Sequence, residues 1–347
     1  MKIALVGDKR SKMILKNELN KLDTYEFFFL DELTFDVLMD KSFDVLIVFN
    51  YFKNIPGSVI EYLEGKVFAI YITWAVESIY LKIHHVTEEI PYNGDIVYEK
   101  NVQGVSKEKL IKTIIEAIAY IGENIEKFRY YKNQRFIIVN DKTDYKHTLR
   151  ELLTSNFDFG KLKLLNVINL NREDLETIRS WRNKDEIRKW MYTDHIIVPE
   201  EHFSWVHRLR TKNTAVYFLV EYNDEPVGVV GLSNLNMRDK SASVGIYIGN
   251  EKFRGKGLGK LMMYALLKFS FDILRLNRVQ IEVFSDNIAA IHLYEKFFQK
   301  EGTLREFKFK NGVFRDVIVM SILKKEWLSN KERWREIYEN ALYKNKW

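Results

Sequence analysis

The sequence feature that most constrains the fold is a short glycine-rich stretch, RGKGLG, at residues 254–259. An apolar run at 241–249, SASVGIYIG, predicts a strand before it, and the residues after it predict a helix to about residue 274. A helix N-terminus carries unpaired N–H groups and partial positive charge, and glycine lets a ligand approach the backbone. With Arg254, Lys256 and Lys260, the stretch predicts an anion site or, alternatively, a tight basic turn.

Spacing excludes two common nucleotide motifs. A P-loop needs Ser or Thr after its Gly-Lys pair, whereas Leu261 follows Gly259 and Lys260 here. The dinucleotide pattern GxGxxG is matched neither by RGKGLG nor by GDKRSKM, which follows the first predicted strand. The loop alone therefore does not identify its anion.

The composition is that of a folded protein that can bury sizeable cores. The chain has 347 residues, enough for two domains, with 46% hydrophobic and 29% charged residues. A net charge of +6 permits an anionic ligand, but no dense basic block with interleaved aromatics predicts nucleic-acid binding. The absence of cysteine excludes disulfides, thiolate metal sites and a cysteine nucleophile. The N-terminal apolar run is too short for a signal peptide or membrane span, so we expect a cytoplasmic protein without membrane contact.

Residues 1–130 predict an α/β domain. The runs KIALVG, YEFFFL, FDVLIVF and KVFAIYIT lack strict alternation, which favours strands covered on both faces. Helices are predicted at 58–63 and 106–128, and an edge strand at 95–102. This order favours a Rossmann-like, open, mostly parallel sheet.

A second domain is predicted at residues 161–327. Weak periodicity at 131–160 predicts a connector before it, and residues 328–347 predict a helical tail after it. Turn residues at 223–224 and 311–312 predict two hairpins within the domain.

The motif order in this second domain resembles that of the GCN5-related N-acetyltransferase (GNAT) family. The strand, RGKGLG, a helix, a strand and then SDNIAAIHLYEK at 285–296 follow one another as in that family. The resemblance spans about residues 163–327 and implies an α+β domain with a mixed, splayed sheet and acetyl-CoA (coenzyme A) as donor. It implies that the loop amides hold the pyrophosphate, that the preceding strand pairs with the pantetheine arm, and that Asn287 contacts coenzyme A near its thiol. The implied cofactor-binding residues are Ile246, Tyr247, Ile248, Arg254, Gly255, Lys256, Gly257, Leu258, Gly259, Lys260 and Asn287.

Tyr294 is the catalytic acid that the resemblance implies. A phenol with a pKa of about 10 can protonate a leaving thiolate of similar basicity. The alternative for Tyr294 is a packed helix aromatic, and the alternative for Asn287 is a helix N-cap.

Several residues could serve as the base that an amine acceptor requires, because a protonated amine must lose a proton before it attacks. Glu282, on the predicted strand RVQIEVF, is one catalytic candidate, and Ser243 with Tyr247 could hold a water instead. His195, His202 and His207 lie in the acceptor half, where a solvated or packed role is commoner for each.

The acceptor side is predicted around WRNKDEIRKWMY at 181–192. With GTLRE at 302–306, it resembles the GNAT branch that acetylates a UDP-linked 4-amino-4,6-dideoxy sugar in pseudaminic acid biosynthesis, a surface-glycan pathway. Ribosomal-protein N-terminal acetyltransferases share WRN and GxLRE, and a coenzyme A-binding scaffold without turnover is the non-enzymatic alternative. Arg182 suits a phosphate through its bidentate fork, or pairs with Asp185 or Glu186. The substrate-binding candidates are Arg182, Trp190 and Met191.

The first domain resembles folate-dependent sugar and methionyl-tRNA formyltransferases over residues 43–73 and 83–100. In that family a strand reading NxHxS carries the catalytic Asn and His, and its three motif positions are occupied here by Ala69, Tyr71 and Thr73. The position of the family's catalytic Asp is occupied by Pro91 or Tyr92. Since tyrosine cannot replace histidine as a base near pH 7, we expect a catalytically inactive domain. It could bind a nucleotide-sugar, stabilise the second domain or form a homodimer contact. His84 and His85 lack further ligands at helical spacing, so no metal site is predicted.

Overall fold

The computed structural model describes residues 1–7, 15–16, 19, 25–31, 33–49, 55–64, 66–75, 78–85, 95–102, 107–124, 136–139 and 147–344. The chain forms two compact units. The first comprises Met1–Lys132 with Pro199–Arg208, and the second comprises Asn133–Val198 with Leu209–Trp347.

The first unit contains a sheet whose described strands have the order β2-β1-β3-β4-β5-β6. Pairing is parallel from β2 to β4 and antiparallel from β4 to β6, so the predicted mostly parallel sheet carries an antiparallel extension. The strands are β1 Lys2–Gly7, β2 Glu26–Leu30, β3 Val45–Phe49, β4 Val67–Ala75, β5 Ser78–His85 and β6 Asp95–Val102. The helices are α1 Phe35–Lys41, α2 Gly57–Tyr62 and α3 Lys107–Asn124.

Strand β5 was not predicted from the sequence, whereas β1 to β4 and the edge strand β6 were. Its sequence, SIYLKIHH, alternates apolar and polar residues, which is typical of an antiparallel strand. A search for continuous apolar runs overlooks such a pattern. The formyltransferase-like positions Ala69, Tyr71 and Thr73 lie on β4, while Pro91 and Tyr92 lie outside the described residues.

The core of the first unit forms between the parallel strands and α3. Apolar side chains of β1, β3 and β4 pack against one stripe of α3, as expected for an amphipathic helix covering a sheet. The segment Pro199–Arg208 adds Phe203, which has no exposed surface and whose ring lies edge-on to Tyr62 at 5.5 Å between centroids. In the same segment, Nδ1 of His207 lies 3.5 Å from Oε1 of Glu61, and both side chains are buried.

The second unit contains a sheet whose described strands have the order β14-β15-β13-β12-β11-β10-β9-β8-β7. The strands are β7 Phe136–Ile138, β8 Asn156–Asp158, β9 Leu162–Asn166, β10 Val216–Tyr222, β11 Glu225–Asn236, β12 Ser241–Ile248, β13 Arg278–Phe284, β14 Gln299–Lys310 and β15 Val313–Leu323. The helices are α4 Leu149–Thr154, α5 Arg172–Asn183, α6 Asp185–Arg188, α8 Leu258–Lys268, α9 Ile288–Tyr294, α10 Lys324–Ser329 and α11 Lys331–Lys344, while α7 Pro199–Thr211 has its first ten residues in the first unit and only its end in the second. The mixed α/β architecture and mixed sheet expected from the sequence are confirmed.

The stretch assigned to a connector, 131–160, contains β7, α4 and β8, which belong to the second unit. The three short elements explain the weak periodicity, because strands of three residues and a six-residue helix are too brief to show one. Thr148 and Glu151 form a capping box at the start of α4, which fixes this short helix.

The tail after residue 327 is helical in α11, which packs against α8. The indole of Trp334 is buried and stacks on the rings of Phe297 and Trp327 at 5.6 and 6.0 Å between centroids. The Tyr338 hydroxyl donates to the backbone oxygen of Phe159 at 3.1 Å. Among the described residues, no helix has the combination of length and apolar character that a membrane crossing requires.

Candidate functional site

The site begins where strands β12 and β13 part. Their parallel pairing is limited to Ser241 with Arg278, Ala242 with Val279 and Ser243 with Gln280. Beyond this point β12 continues to Ile248 beside β11, while β13 continues beside β15. The freed edge of β12 therefore offers unpaired N–H and C=O groups, which suit an extended ligand that adds to a sheet edge. The predicted residues Ile246, Tyr247 and Ile248 lie on this edge.

The glycine loop connects that edge to the N-terminus of α8. Gly255 and Gly257 have φ values of 72° and 81°, a region that favours glycine, and Gly257 caps the helix. A Cβ placed on either residue would meet nothing within 4 Å, so open space lies above both. A Cβ on Gly259, by contrast, would lie 3.1 Å from the Leu293 side chain, because α8 and α9 pack closely there.

Arg254 extends the loop's positive charge into a partly enclosed position. Its Nε donates to the backbone oxygen of Ile248 at 3.4 Å, and its Nη1 lies 3.3 Å from Oε1 of Glu186. Its Nη2 is buried without a partner among the described residues. A buried guanidinium N–H without a partner costs free energy unless a ligand accepts it. The open loop, the helix N-terminus and this N–H together fit a pyrophosphate group.

Helix α9 carries Asn287 and Tyr294. The Oδ1 of Asn287 accepts from the backbone N–H of Ala290 at 3.2 Å, so the N-cap alternative is realised and the side-chain NH₂ is left available. Tyr294 is 7% exposed and packs edge-on to Phe298. Burial raises the pKa of its phenol well above the ordinary value, so the hydroxyl stays protonated at neutral pH. Such a group can donate a proton.

Glu282 lies on the part of β13 that has left β12, opposite Val319 of β15. Its Oε2 accepts a hydrogen bond from the Tyr192 hydroxyl at 2.5 Å. The pKa of Tyr192 is raised far above its ordinary value, mainly by burial and to a smaller extent by the hydrogen bond to Glu282. The Lys308 ammonium lies 4.3 Å from the centre of the Tyr192 ring. The carboxylate is thus exposed yet held in position.

Ser243 lies at the fork between the two strands. The side-chain NH₂ groups of Gln280 and Asn234 both donate to its Oγ, each at 3.4 Å. Since both bonds use the hydroxyl as acceptor, its own proton is free to be donated to a water or ligand. The fork therefore contains a second polar group besides Glu282.

Arg182 lies near two half-buried tyrosines, Tyr217 and Tyr247. Burial raises the pKa values of Tyr217 and Tyr247, and the positive charge of Arg182 opposes that rise in both. Trp181, the neighbour of Arg182, packs its indole against Gly249, where a Cβ would come within 2.1 Å of the ring. This contact ties α5 to the end of β12.

The loop after α6 carries Trp190 and Met191. Asn183 exchanges hydrogen bonds with the backbone of Ile197, at 2.8 and 2.9 Å, and so fixes the far end of this loop. The Trp190 ring has the Arg315 guanidinium 5.4 Å from its centre. Of the acids proposed as Arg182 partners, Asp185 pairs with Arg188 and Glu186 with Arg254.

The three histidines named from the sequence are distributed between the units. His195 is exposed in the second unit, whereas His202 and His207 are buried in the first. Tyr192, Lys310 and Arg315 are not among the site residues predicted from the sequence. Only the tertiary fold brings these three side chains to the site.

Sequence comparisons with known proteins agree on the family. A family profile described as an acetyltransferase (GNAT) domain matches residues 165–297. The acetyltransferase PseH of Campylobacter jejuni is 33% identical over 135 residues, which is 39% of this chain and 82% of that protein. The spermidine N(1)-acetyltransferase of Vibrio cholerae is also 33% identical, over 169 residues, 47% of this chain and 95% of that protein. A crystal structure of the Vibrio cholerae spermidine N-acetyltransferase with CoA and spermine covers 48% of this chain and 98% of that one, at 30% identity and a TM-score of 0.45.

Proposed function

We propose, from the premise that this chain belongs to the GNAT acetyltransferase family, that it acetylates the amino group of a nucleotide-linked amino-deoxy sugar. Membership makes the chain an N-acetyltransferase whose donor is acetyl-CoA. The acceptor we propose is a UDP-linked 4-amino-4,6-dideoxy sugar of the kind used in pseudaminic acid biosynthesis.

The donor half of the site supports binding of the coenzyme. The freed edge of β12 would pair with the pantetheine arm, and the loop from Arg254 to Lys260 would hold the pyrophosphate. The donor, when bound, supplies an acetyl thioester whose carbonyl carbon the amine attacks. The NH₂ group of Asn287 would contact the coenzyme near its thiol end.

Tyr294 would supply the proton that the departing sulfur needs. The new C–N bond forms as the C–S bond breaks, the phenol proton passes to the thiolate sulfur, and the proton that the new amide nitrogen sheds restores the phenol. Because burial keeps the phenol neutral, the acid is in the required form throughout the neutral range.

Glu282 would remove the proton from the acceptor ammonium. Its carboxylate is exposed on the parted strand, and Tyr192 holds it in one orientation. Ser243 at the fork would serve as a relay through water if the amine stands closer to β12.

Positive charge at the acceptor end is the observation that carries the choice of acceptor. Burial lowers the pKa of Lys310, and the charges of Arg182, Arg315 and Arg188 lower it further, while Asp194 alone opposes them. Such a setting attracts a nucleoside diphosphate and repels a polyamine cation. It therefore favours the sugar nucleotide, although proteins named spermidine acetyltransferases are among the relatives.

A thiol-release assay tests the proposal directly. The chain is mixed with acetyl-CoA and, in separate reactions, a UDP-linked 4-amino-4,6-dideoxy sugar, the same sugar without its nucleotide, spermidine, or a ribosomal-protein N-terminal peptide. We expect turnover with the first and a large loss of kcat/KM without the nucleotide. Faster turnover of spermidine or the peptide would replace the proposed acceptor with that one.

A further inference from the structure

A polar cavity of about 510 Å³ lies in the second unit beside the turn of the β14–β15 hairpin. It is walled by α6 and the segment after it on one side and by the hairpin on the other. The lining residues are Asp185, Glu186, Arg188, Lys189, Asp194, Lys310 and Asn311. A cavity of this size accommodates part of a small-molecule ligand.

Lys310 is the unusual member of that lining. It is 2% exposed, at the last position of β14 before the Asn311-Gly312 turn. Its Nζ donates to the backbone oxygen of Thr193 at 3.3 Å, and the described residues offer its other two N–H groups no acceptor. A buried ammonium with two unused donors is costly unless a ligand completes its hydrogen bonds.

The charges around the cavity do not cancel at Lys310. Of its three carboxylates, Asp185 pairs with Arg188 and Glu186 with Arg254. Asp194 remains as the one lining carboxylate whose charge acts on Lys310, and the lining also contains the exposed Lys189. The cavity therefore has an excess of positive charge on the Lys310 side, which the guanidinium groups of Arg182 and Arg315 reinforce.

We infer that this cavity is a diphosphate subsite, in which the Lys310 ammonium donates to the phosphate oxygens of the acceptor nucleotide. The inference deepens the proposed function and rests on it for the identity of the acceptor. Lys310 is then a specificity-determining residue, because it separates nucleotide-linked amines from free amines. Arg182, which lies outside the lining, adds positive charge that acts on Lys310.

Coenzyme A also contains a diphosphate, so the group bound in the cavity could belong either to coenzyme A or to the acceptor nucleotide. The glycine loop and the unpartnered Nη2 of Arg254 already provide a place for the coenzyme's diphosphate. Glu186 separates that guanidinium from the cavity, since it lines the cavity and pairs with Arg254. We therefore assign the cavity to the acceptor.

The test measures binding of UDP, inorganic pyrophosphate and coenzyme A to the full chain by calorimetry. Three variants are compared with the unmodified protein: Lys310→Met, Lys310→Arg and Lys300→Gln. Methionine keeps the length of the side chain without its charge, and arginine restores the charge. Lys300 is an exposed residue of the same strand and serves as the matched control.

We expect Lys310→Met to weaken UDP and pyrophosphate binding by about tenfold or more, as for loss of a charge-assisted hydrogen bond. Coenzyme A binding should stay within about twofold, since its diphosphate lies elsewhere. Lys310→Arg should recover part of the loss, and Lys300→Gln should bind as the unmodified protein. The melting temperature of Lys310→Met should hold or rise, because a buried charge is removed.

The outcomes separate this inference from the proposed function. If UDP binds in a Lys310-dependent way but no UDP-amino sugar is turned over, the subsite stands and the proposed acceptor fails. If the sugar is turned over and Lys310→Met binds UDP normally, the subsite fails and the proposed acceptor stands. Equal weakening of coenzyme A, or no UDP binding to the unmodified protein at millimolar concentration, would overturn the subsite.

Discussion

The Tyr192 hydroxyl donates to Oε2 of Glu282 across 2.5 Å, joining the loop after α6 to the parted strand β13. The bond restricts the carboxylate to one orientation at the fork. Tyr192 is itself supported by the Phe284 ring, which lies edge-on at 5.6 Å between centroids. The pair makes Glu282 the first residue to test as the base.

Glu282→Gln should lower kcat by about a hundredfold, because the amide cannot accept the proton of the acceptor ammonium. The KM for acetyl-CoA should change little, since the role proposed for Glu282 is to accept a proton from the acceptor. Tyr192→Phe removes the positioning bond but not the base, so kcat should fall by less than in Glu282→Gln. The KM for the acceptor should change together with kcat. Steady-state kinetics over pH 6–9 would check both, and unchanged kcat in Glu282→Gln would shift the role to Ser243.

Gly257→Trp should abolish binding of coenzyme A. The indole would fill the open space above the loop, and the φ of 81° adds strain for any residue with a Cβ. Gly160→Trp provides a matched control, because Gly160 also has a positive φ, 86°, and open space, but lies in the turn between β8 and β9. Calorimetry should show that Gly257→Trp loses affinity for coenzyme A and that Gly160→Trp keeps it. Normal affinity in Gly257→Trp would remove the loop from the proposed site.

Tyr294→Phe should reduce kcat by about a hundredfold with a modest change in acetyl-CoA KM, as expected when a proton donor acts only in the transition state. The ring is retained, so packing against Phe298 persists and the melting temperature should stay close to that of the unmodified protein. Thiol release measured beside thermal unfolding distinguishes a chemical loss from a structural one. A kcat equal to that of the parent protein would leave Tyr294 as a packed helix aromatic only.

Ionisation of Tyr338 should lower the free energy of unfolding of the protein as the pH rises above about 10. Burial raises its pKa to about 12, above the value of about 10 expected in the unfolded chain. A folded pKa that is raised contributes stability below pH 10, and this contribution is lost as the pH rises from about 10 towards 12. Tyr338→Phe, which loses the bond to Phe159, should be less stable by about 1 kcal/mol at pH 8. Urea unfolding at pH 8 and 10.5 should show this difference shrinking, and a constant difference would contradict the assignment.

Patterns local in sequence predicted much of the fold. Strands β1 to β4, the fork-forming pair β12 and β13, and the helix after RGKGLG follow from continuous apolar runs and from glycine at the helix start. Strand β5 does not follow from such runs, because its apolar and polar residues alternate. The elements β7, α4 and β8 do not follow from them either, because each is only three to six residues long.

Some residues of the candidate site could likewise be predicted from local sequence patterns, and others could not. RGKGLG and Tyr294 form motifs whose order indicates their chemistry, so they could be named from the sequence. Lys310 could not be predicted from the sequence, because it is buried where the hairpin packs against the segment that contains Thr193. Thr193 and Lys310 are 117 positions apart in the chain. The bond between Tyr192 and Glu282 likewise joins residues 90 positions apart.

The assignment of Pro199–Arg208 to the first unit means that the chain passes between the units three times, at residues 132–133, 198–199 and 208–209. A single cut after residue 132 would leave the first unit without Phe203, which has no exposed surface there. During synthesis, the first unit remains incomplete until the ribosome has also produced residues 133–198 of the second. Neither unit can therefore be exchanged as one contiguous segment, because the ten residues Pro199–Arg208 must be kept with the first unit.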